Sequence, residues 1–461
     1  MWHFNSLFLL LSKSSLITAL VKFYVFKQTT SILFFVFFKV IMKMKNLIEL
    51  LTNWMFSGIQ FLVNCFNQIR VGKPTEHFES SASVYRIVCR YKTSRQYEFS
   101  HKNDFVALFE EFEHPSIVLE ERYSLYTVTK DEAIFVDCNA TDIFDKDKAF
   151  VYDTQFQTAS RLITMPISSF HLIAKHITFP DIPVAHLPNH GRCGSTLLTK
   201  VFDAVPNSLS ISELNSFTEL AEISLKNGVR DYEMIKQLLK SVVMMTLKHG
   251  ISRKSSCVLI KCQSSVLFIT EIMIECFPNI KQVYMYRQAL GFVQSYEKLE
   301  YVNNWDPLTT EMSLYWGGVG NHSLMQAITS SINVEAISEL SSFSKWAIIW
   351  ISSMACYQKL TTSGLEIKSL KFEHMLADPQ TVFGKFFAYL GIPLKHMPDL
   401  ERVLSVDSQA NTPFSSRGTD KEKLKMSLTP ITQDLKDEIK TLSTMFGVDQ
   451  FWDDVVLENS F

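Results

Sequence analysis

The sequence predicts an α/β fold: a parallel central sheet with helices on both faces, preceded by a small α+β region and a hydrophobic N-terminal anchor. Three observations carry this. Short apolar strands alternate with helical patterns from Ile182 onward; residues 84–91 alternate with a period of two; and residues 190–198 run a glycine turn into a helix start. The 461 residues are 47% hydrophobic and 20% charged, which excludes a largely disordered chain, and 15 Gly with 14 Pro exclude a fibrous one.

The formal net charge of -2 gives no basic field for nucleic acid, so no nucleic-acid partner is expected. That average hides an asymmetry, because residues 1–45 hold six lysines and no acid. Within the leader, residues 1–66, the run Ser31–Phe38 is too short to span a bilayer. Leu47–Phe66 is long enough, with its one charge, Glu49, near an end. Lys39, Lys43 and Lys45 precede it and place the N-terminus on the cytosolic side. The expectation is a single-pass, type II membrane protein with a lumenal catalytic part. The alternative is an amphipathic or buried helix, since Asn53, Gln60 and Asn64 are polar. Residues 1–41 read as an extension, and a start at Met42 would leave a compact signal-anchor. The triplets Asn139-Ala140-Thr141 and Asn321-His322-Ser323 fit glycosylation in the lumen.

Residues 67–82 read as a linker. Residues 83–178 follow as a small α+β region: a strand from Ser83, a helix over Asp104–Glu113 closed by His114-Pro115, and apolar runs at Ser116–Val128 and Ala133–Cys138 around a turn at residues 129–132. The third region, residues 180–455, predicts strands at Pro183–Leu187, Cys257–Lys261, Gln282–Tyr286 and Gly364–Phe372, with helices from Ser195 and around Thr381–Leu390. In such sheets, ligands bind at the C-terminal ends of the strands. The eight cysteines include no CxxC pair, which argues against a structural zinc. They are too sparse for a disulfide scaffold, leaving room for one or two disulfides whose pairing the spacing does not assign.

The stretch His190-Gly191-Arg192-Cys193-Gly194-Ser195-Thr196-Leu197-Leu198 carries the chemistry. A glycine turn at a helix start directs several amides at one point, which favours an anion. Ser195 and Thr196 add hydroxyls, and Arg192 adds a planar cation with several donors. A plain N-cap is the alternative use of the two hydroxyl residues. A nucleotide triphosphatase loop needs lysine directly after its second glycine, and Ser195 stands there instead of lysine.

This stretch resembles the 5′-phosphosulfate loop of the sulfotransferase family, whose members move the sulfuryl group of 3′-phosphoadenosine 5′-phosphosulfate (PAPS) to an alcohol or amine. Three further segments follow in the family's order. Arg287 ends a strand with Ser295 eight positions on, similar to the 3′-phosphate motif; Lys371-Phe372-Glu373 through Pro393 resembles the late strand-helix segment; and Ser416-Arg417-Gly418 resembles the basic loop that closes over the 3′-phosphate. The resemblance implies a PAPS-binding domain, PAP as product and no metal. Arg192, Cys193, Gly194, Ser195, Thr196, Leu197, Arg287, Ser295, Ser416, Arg417 and Gly418 would hold the nucleotide. Cys193 and Phe372 stand where the family usually has a hydroxyl residue and often has tyrosine.

Cytosolic members place a catalytic histidine after the second core strand, where this chain has Lys261-Cys262-Gln263. Golgi members use a glutamate after the first helix. Glu213 matches that offset, 21 positions after Arg192. The resemblance therefore implies Glu213 as base, Arg192 and Lys261 beside the leaving group, and a Golgi, membrane-type enzyme. Helix capping is the other use of Glu213. The acceptor is a hydroxyl of a carbohydrate, peptide or lipid, and Trp305 and Trp316 are candidate sugar-facing residues. Two alternatives stand beside this: a catalytically silent relative that binds PAP or PAPS, and a nucleotide-dependent kinase.

Overall fold

The computed structural model describes residues 51–67, 77–92, 100–139, 141–227, 231–303, 340–408, 428–448 and 450–461. The chain forms two units, Met1–Phe66 and Asn67–Phe461. Residues 51–67 are helical (α1) and take up most of the expected span. Residues 47–50 lie outside the described residues. Among the described residues no helix is long and apolar enough to cross a membrane.

The second unit opens with a five-stranded antiparallel sheet of order β2-β1-β5-β4-β3. Its strands are β1 (Ala82–Arg90), β2 (Phe105–Glu113), β3 (Tyr123–Val128), β4 (Glu132–Asp137) and β5 (Arg161–Pro166), with helices α2 (Val151–Thr158) and α3 (Ile167–Ala174). The turn expected at residues 129–132 joins β3 to β4, where the Thr129 N–H donates to the Glu132 carbonyl at 2.8 Å. One expectation is corrected here. The predicted helix over Asp104–Glu113 is strand β2, paired antiparallel along β1. Its Phe105-Val106 start and Phe109 suit a half-buried strand. Glu110 pairs with cations of β1 and β5, 3.4 Å from Arg86 Nε and 3.3 Å from Arg161 Nε. Pairing with the preceding strand overrode the local pattern.

From β6 onward the predicted alternation appears. A parallel sheet of order β10-β9-β6-β8-β7 comprises β6 (Val184–Leu187), β7 (Ser208–Ser212), β8 (Cys257–Lys261), β9 (Lys281–Tyr286) and β10 (Lys368–Lys371). The intervening helices are α4 (Ser195–Asp203), α5 (Asn215–Asn227), α6 (Tyr232–Ser252), α7 (Thr270–Cys276), α8 (Ala289–Asn303) and α9 (Ser342–Thr362). After β10 come α10 (Phe372–Ala377), α11 (Pro379–Leu390), α12 (Leu400–Leu404) and α13 (Gln433–Met445). Strand β7 was not anticipated, and β10 is shorter than the predicted Gly364–Phe372.

The pleat alternation explains why both faces are covered. Cys257, Leu259, Val283 and Met285 pack with Leu198 and Phe202 of α4 and the phenylalanines of α11. Val258 and Ile260 face the opposite way, with Leu238 and Val242 of α6, while Tyr284 and Tyr286 meet Trp346 and Trp350 of α9. The cluster around α6 also contains Leu125 and Phe135 of the first sheet, so one core runs under both sheets.

A buried lysine fastens that joint. Lys248 on α6 donates to the carbonyls of Val118 (2.7 Å), Glu120 (2.9 Å) and Tyr123 (2.6 Å) at the edge of the first sheet. Lys248→Met strips three carbonyls of their donor in a dry site. It should cost about 3 kcal/mol of unfolding free energy in urea titration; an unchanged midpoint would show that the joint does not depend on it.

Candidate functional site

Strand β6 is central, with β8 and β9 on either side, so the chain turns in opposite directions from its C-terminal end. A crevice at such a switch point is where open α/β sheets bind ligands. The loop after β6 and the ends of β7, β8 and β9 supply the predicted residues there.

The loop backbone is left-handed at Gly191 (φ +80°), Arg192 (φ +48°) and Gly194 (φ +82°). Glycine is required at two of these positions by space as well as by φ. A Cβ on Gly194 would stand 2.4 Å from Phe372 Cδ2, and one on Gly191 would stand 2.6 Å from the Tyr296 hydroxyl. Gly194 is the N-cap of α4 and no side chain caps that helix, so its first turn faces the crevice as an anion-attracting end. Cys193 is fully buried, and burial pushes its thiol up to about 11. Leu197 is half-buried on α4 and packs at the edge of the core on that face.

Lys261, at the end of β8, lies level with Leu187 of β6 and Ser212 of β7. Its side chain is 1% exposed. The ammonium group donates to Glu213 Oε1 at 2.5 Å and to Thr196 Oγ1 at 3.1 Å, and it lies 5.2 Å from the centre of the Phe150 ring. One cation therefore joins the candidate base to the candidate phosphate loop. Glu213 is itself left-handed (φ +59°), a conformation that costs a residue with a Cβ of order 1 kcal/mol. Its N–H donates to the Lys261 carbonyl at 2.8 Å, which extends the β7–β8 pairing by one residue and fixes the side chain over the strand ends.

Arg192 reaches across the crevice, where its Nε donates to Ser295 Oγ at 3.0 Å. Burial holds its guanidinium below the ordinary value, Tyr296 opposes that shift, and the charge of Arg287 adds to it. The two guanidinium groups lie near enough to repel each other, which an anion between them would offset. Ser295, expected to face the 3′-phosphate together with Arg287, here accepts from Arg192. Arg287 lies with its guanidinium 4.8 Å from the Phe372 ring centre and its Nε 3.6 Å from Glu373 Oε1. Gly291 leaves room for it, since a Cβ there would meet Arg287 Nε at 2.8 Å.

Ser416, Arg417, Gly418, Trp305, Trp316 and Asn321 lie outside the described residues. Among the described residues no group of three or more His, Cys, Asp or Glu side chains is placed to hold a metal. Sequence reasoning assigned no role to Asn189, His190, Tyr296 or Phe150. His190 opens the quoted loop and Asn189 precedes it, so their place beside the loop was legible. Phe150 comes from the first sheet's connection to α2 and had no signal.

No family model and no curated protein matches this sequence. Among solved structures, the chain is similar to the sulfotransferase domain from the curacin biosynthetic pathway, with 16% identity over 58% of this chain and 98% of that one, TM-score 0.32. It is also similar to the sulfotransferase from Alicyclobacillus acidocaldarius (13% identity, 60% and 98% covered, TM-score 0.31). A third is sulfotransferase STF9 from Mycobacterium avium (12% identity, 61% and 79% covered, TM-score 0.32). Likenesses this distant leave the reading of the site to its own geometry.

A buried thiol with a raised pKa is a poor nucleophile. In the folded protein at pH 7.5, iodoacetamide should label exposed Cys89 and spare Cys193, as read by peptide mass mapping. Labelling of both at similar rates would reinstate Cys193 as a reactive group.

Proposed function

We propose that this chain is a PAPS-dependent sulfotransferase acting on a hydroxyl acceptor. The observation that carries the reading is the buried Lys261 ammonium, held between Glu213 and Thr196 of the loop. In sulfuryl transfer the bond between sulfur and the 5′-phosphate bridge oxygen breaks as the acceptor oxygen bonds to sulfur. Negative charge builds on the bridge oxygen in a loose transition state. The first-turn amides of α4, Thr196 and Lys261 are grouped where they stabilise that charge. Glu213 takes the acceptor's proton on Oε2 while Oε1 stays with Lys261. Arg192 and Arg287 hold the phosphates, PAP leaves with the bridge oxygen, and no step calls for a redox partner.

The acceptor side is framed by Phe150 and by a small pocket lined by Phe144, Lys148, Val151, Thr196, Lys200 and Ser212. These come partly from the first sheet's α2 connection, which assigns that sheet a share in acceptor binding. The acid-free, lysine-rich residues 1–45 and the apolar stretch 47–66 support a single-pass anchor in a secretory-pathway membrane such as the Golgi, with the catalytic unit lumenal.

PAP should raise the melting temperature, and ATP should not. Glu213→Gln, which keeps an acceptor for the buried Lys261 ammonium, should lower sulfate transfer from labelled PAPS by about 10²–10⁴-fold, with PAP binding retained. PAP binding without transfer in the wild type, across glycan, peptide and lipid acceptors, would make the protein a silent nucleotide-binding module. Stabilisation by ATP alone would point to a kinase. The full chain should resist carbonate extraction from membranes; release into the wash would remove the anchor.

A further inference from the structure

His190 belongs to none of the roles above, yet it is fully buried between the two phosphate-binding elements. Its Nδ1 lies 2.7 Å from the Gly191 carbonyl oxygen, and its Nε2 lies 2.8 Å from the Arg287 backbone nitrogen. A carbonyl only accepts and an amide N–H only donates. The ring must therefore carry its proton on Nδ1 and present a lone pair at Nε2, so the bridge exists only in the neutral form. Burial holds the imidazole down to about 4, the Gly191 carbonyl opposes that, and the charge of Arg287 adds to it. Phe292 stands edge-on at 4.7 Å and Tyr284 at 6.3 Å, which fixes the ring plane.

Asn189 makes the matching tie on the other side. Its Nδ2 donates to the Cys262 carbonyl at 2.6 Å, next to Lys261, and its Oδ1 accepts the Gly191 N–H at 2.9 Å. Two neutral residues in succession thus fasten the loop to the ends of β8 and β9. Those are the strand ends that carry Lys261 and Arg287.

We propose that His190 is a positioning residue: as the neutral Nδ1–H tautomer it locks the loop to the end of β9 and sets the spacing of Arg192 and Arg287 for a nucleotide phosphorylated at both the 5′ and 3′ positions. This rests on the nucleotide reading given above. A lysine or arginine here would add another positive charge to a repelling pair, and an aliphatic side chain would leave the buried Arg287 N–H without its acceptor. Glutamine reproduces the acceptor at the Nε2 position. Asparagine reaches Gly191 but falls short of Arg287.

The discriminating quantity is the preference for PAP over adenosine 5′-phosphate, because general damage weakens both ligands alike while a displaced Arg287 weakens only the grip on the 3′-phosphate. Calorimetric titration of the detergent-solubilised full chain with each ligand gives the two Kd values. His190→Leu and His190→Asn should reduce the preference at least about tenfold, and His190→Gln should keep it within about threefold of wild type. If wild type binds no PAP, the nucleotide reading and this inference fall together. If wild type prefers PAP and the Leu or Asn variant keeps the same preference, this inference alone is overturned. Should the Leu variant not fold, the Asn and Gln variants decide between those outcomes.

Discussion

Lys261 carries a buried ammonium group at the end of a central strand, and its surroundings keep that charge satisfied. Glu213 neutralises it, Thr196 accepts a second hydrogen bond, and the Phe150 ring faces it. Each partner comes from a different part of the chain: the end of β7, the first turn of α4 and the connection before α2. An unpaired buried ammonium costs several kcal/mol, so this contact couples the assembly of the site to the folding of the whole unit. It also explains why Glu213 tolerates a left-handed backbone. The ion pair and the Lys261 carbonyl together hold it there.

The same logic extends outward. Arg253 on the segment after α6 forks onto Asp142 at 2.7 and 3.1 Å, fixing the connection that delivers Phe150. Asn215, at the start of α5, donates to Ser100 beside the first sheet and accepts from Gln263 beyond β8. Polar ties of this kind are directional. They set register between the two sheets where the shared apolar core supplies only cohesion.

On the opposite side of the crevice aromatic packing does the positioning. Tyr296 stacks on Trp346 at 4.1 Å, and the Trp350 indole donates to the Arg287 carbonyl at 2.8 Å. The loop glycines fit against Tyr296 and Phe372, rings that cannot deform cheaply. Each cation there is held by its own partner: Arg192 by Ser295, Arg287 by Phe372 and Glu373, and Lys261 by Glu213.

What the sequence determined by itself was local: the alternation giving β1, β6, β8 and β9, the glycine turn into α4, and the cationic and hydroxyl residues at those junctions. These were legible because period and turn chemistry are properties of neighbouring residues. The tertiary structure alone decided that Phe105–Glu113 is a strand, since the edge of β1 supplies its hydrogen bonds. It alone decided that Ser295 answers to Arg192, that His190 bridges two loops, and that Phe150 reaches Lys261. Those pairings depend on strand order and on which side chains meet across a crevice, and no spacing along a single chain encodes which of several cations a hydroxyl will find.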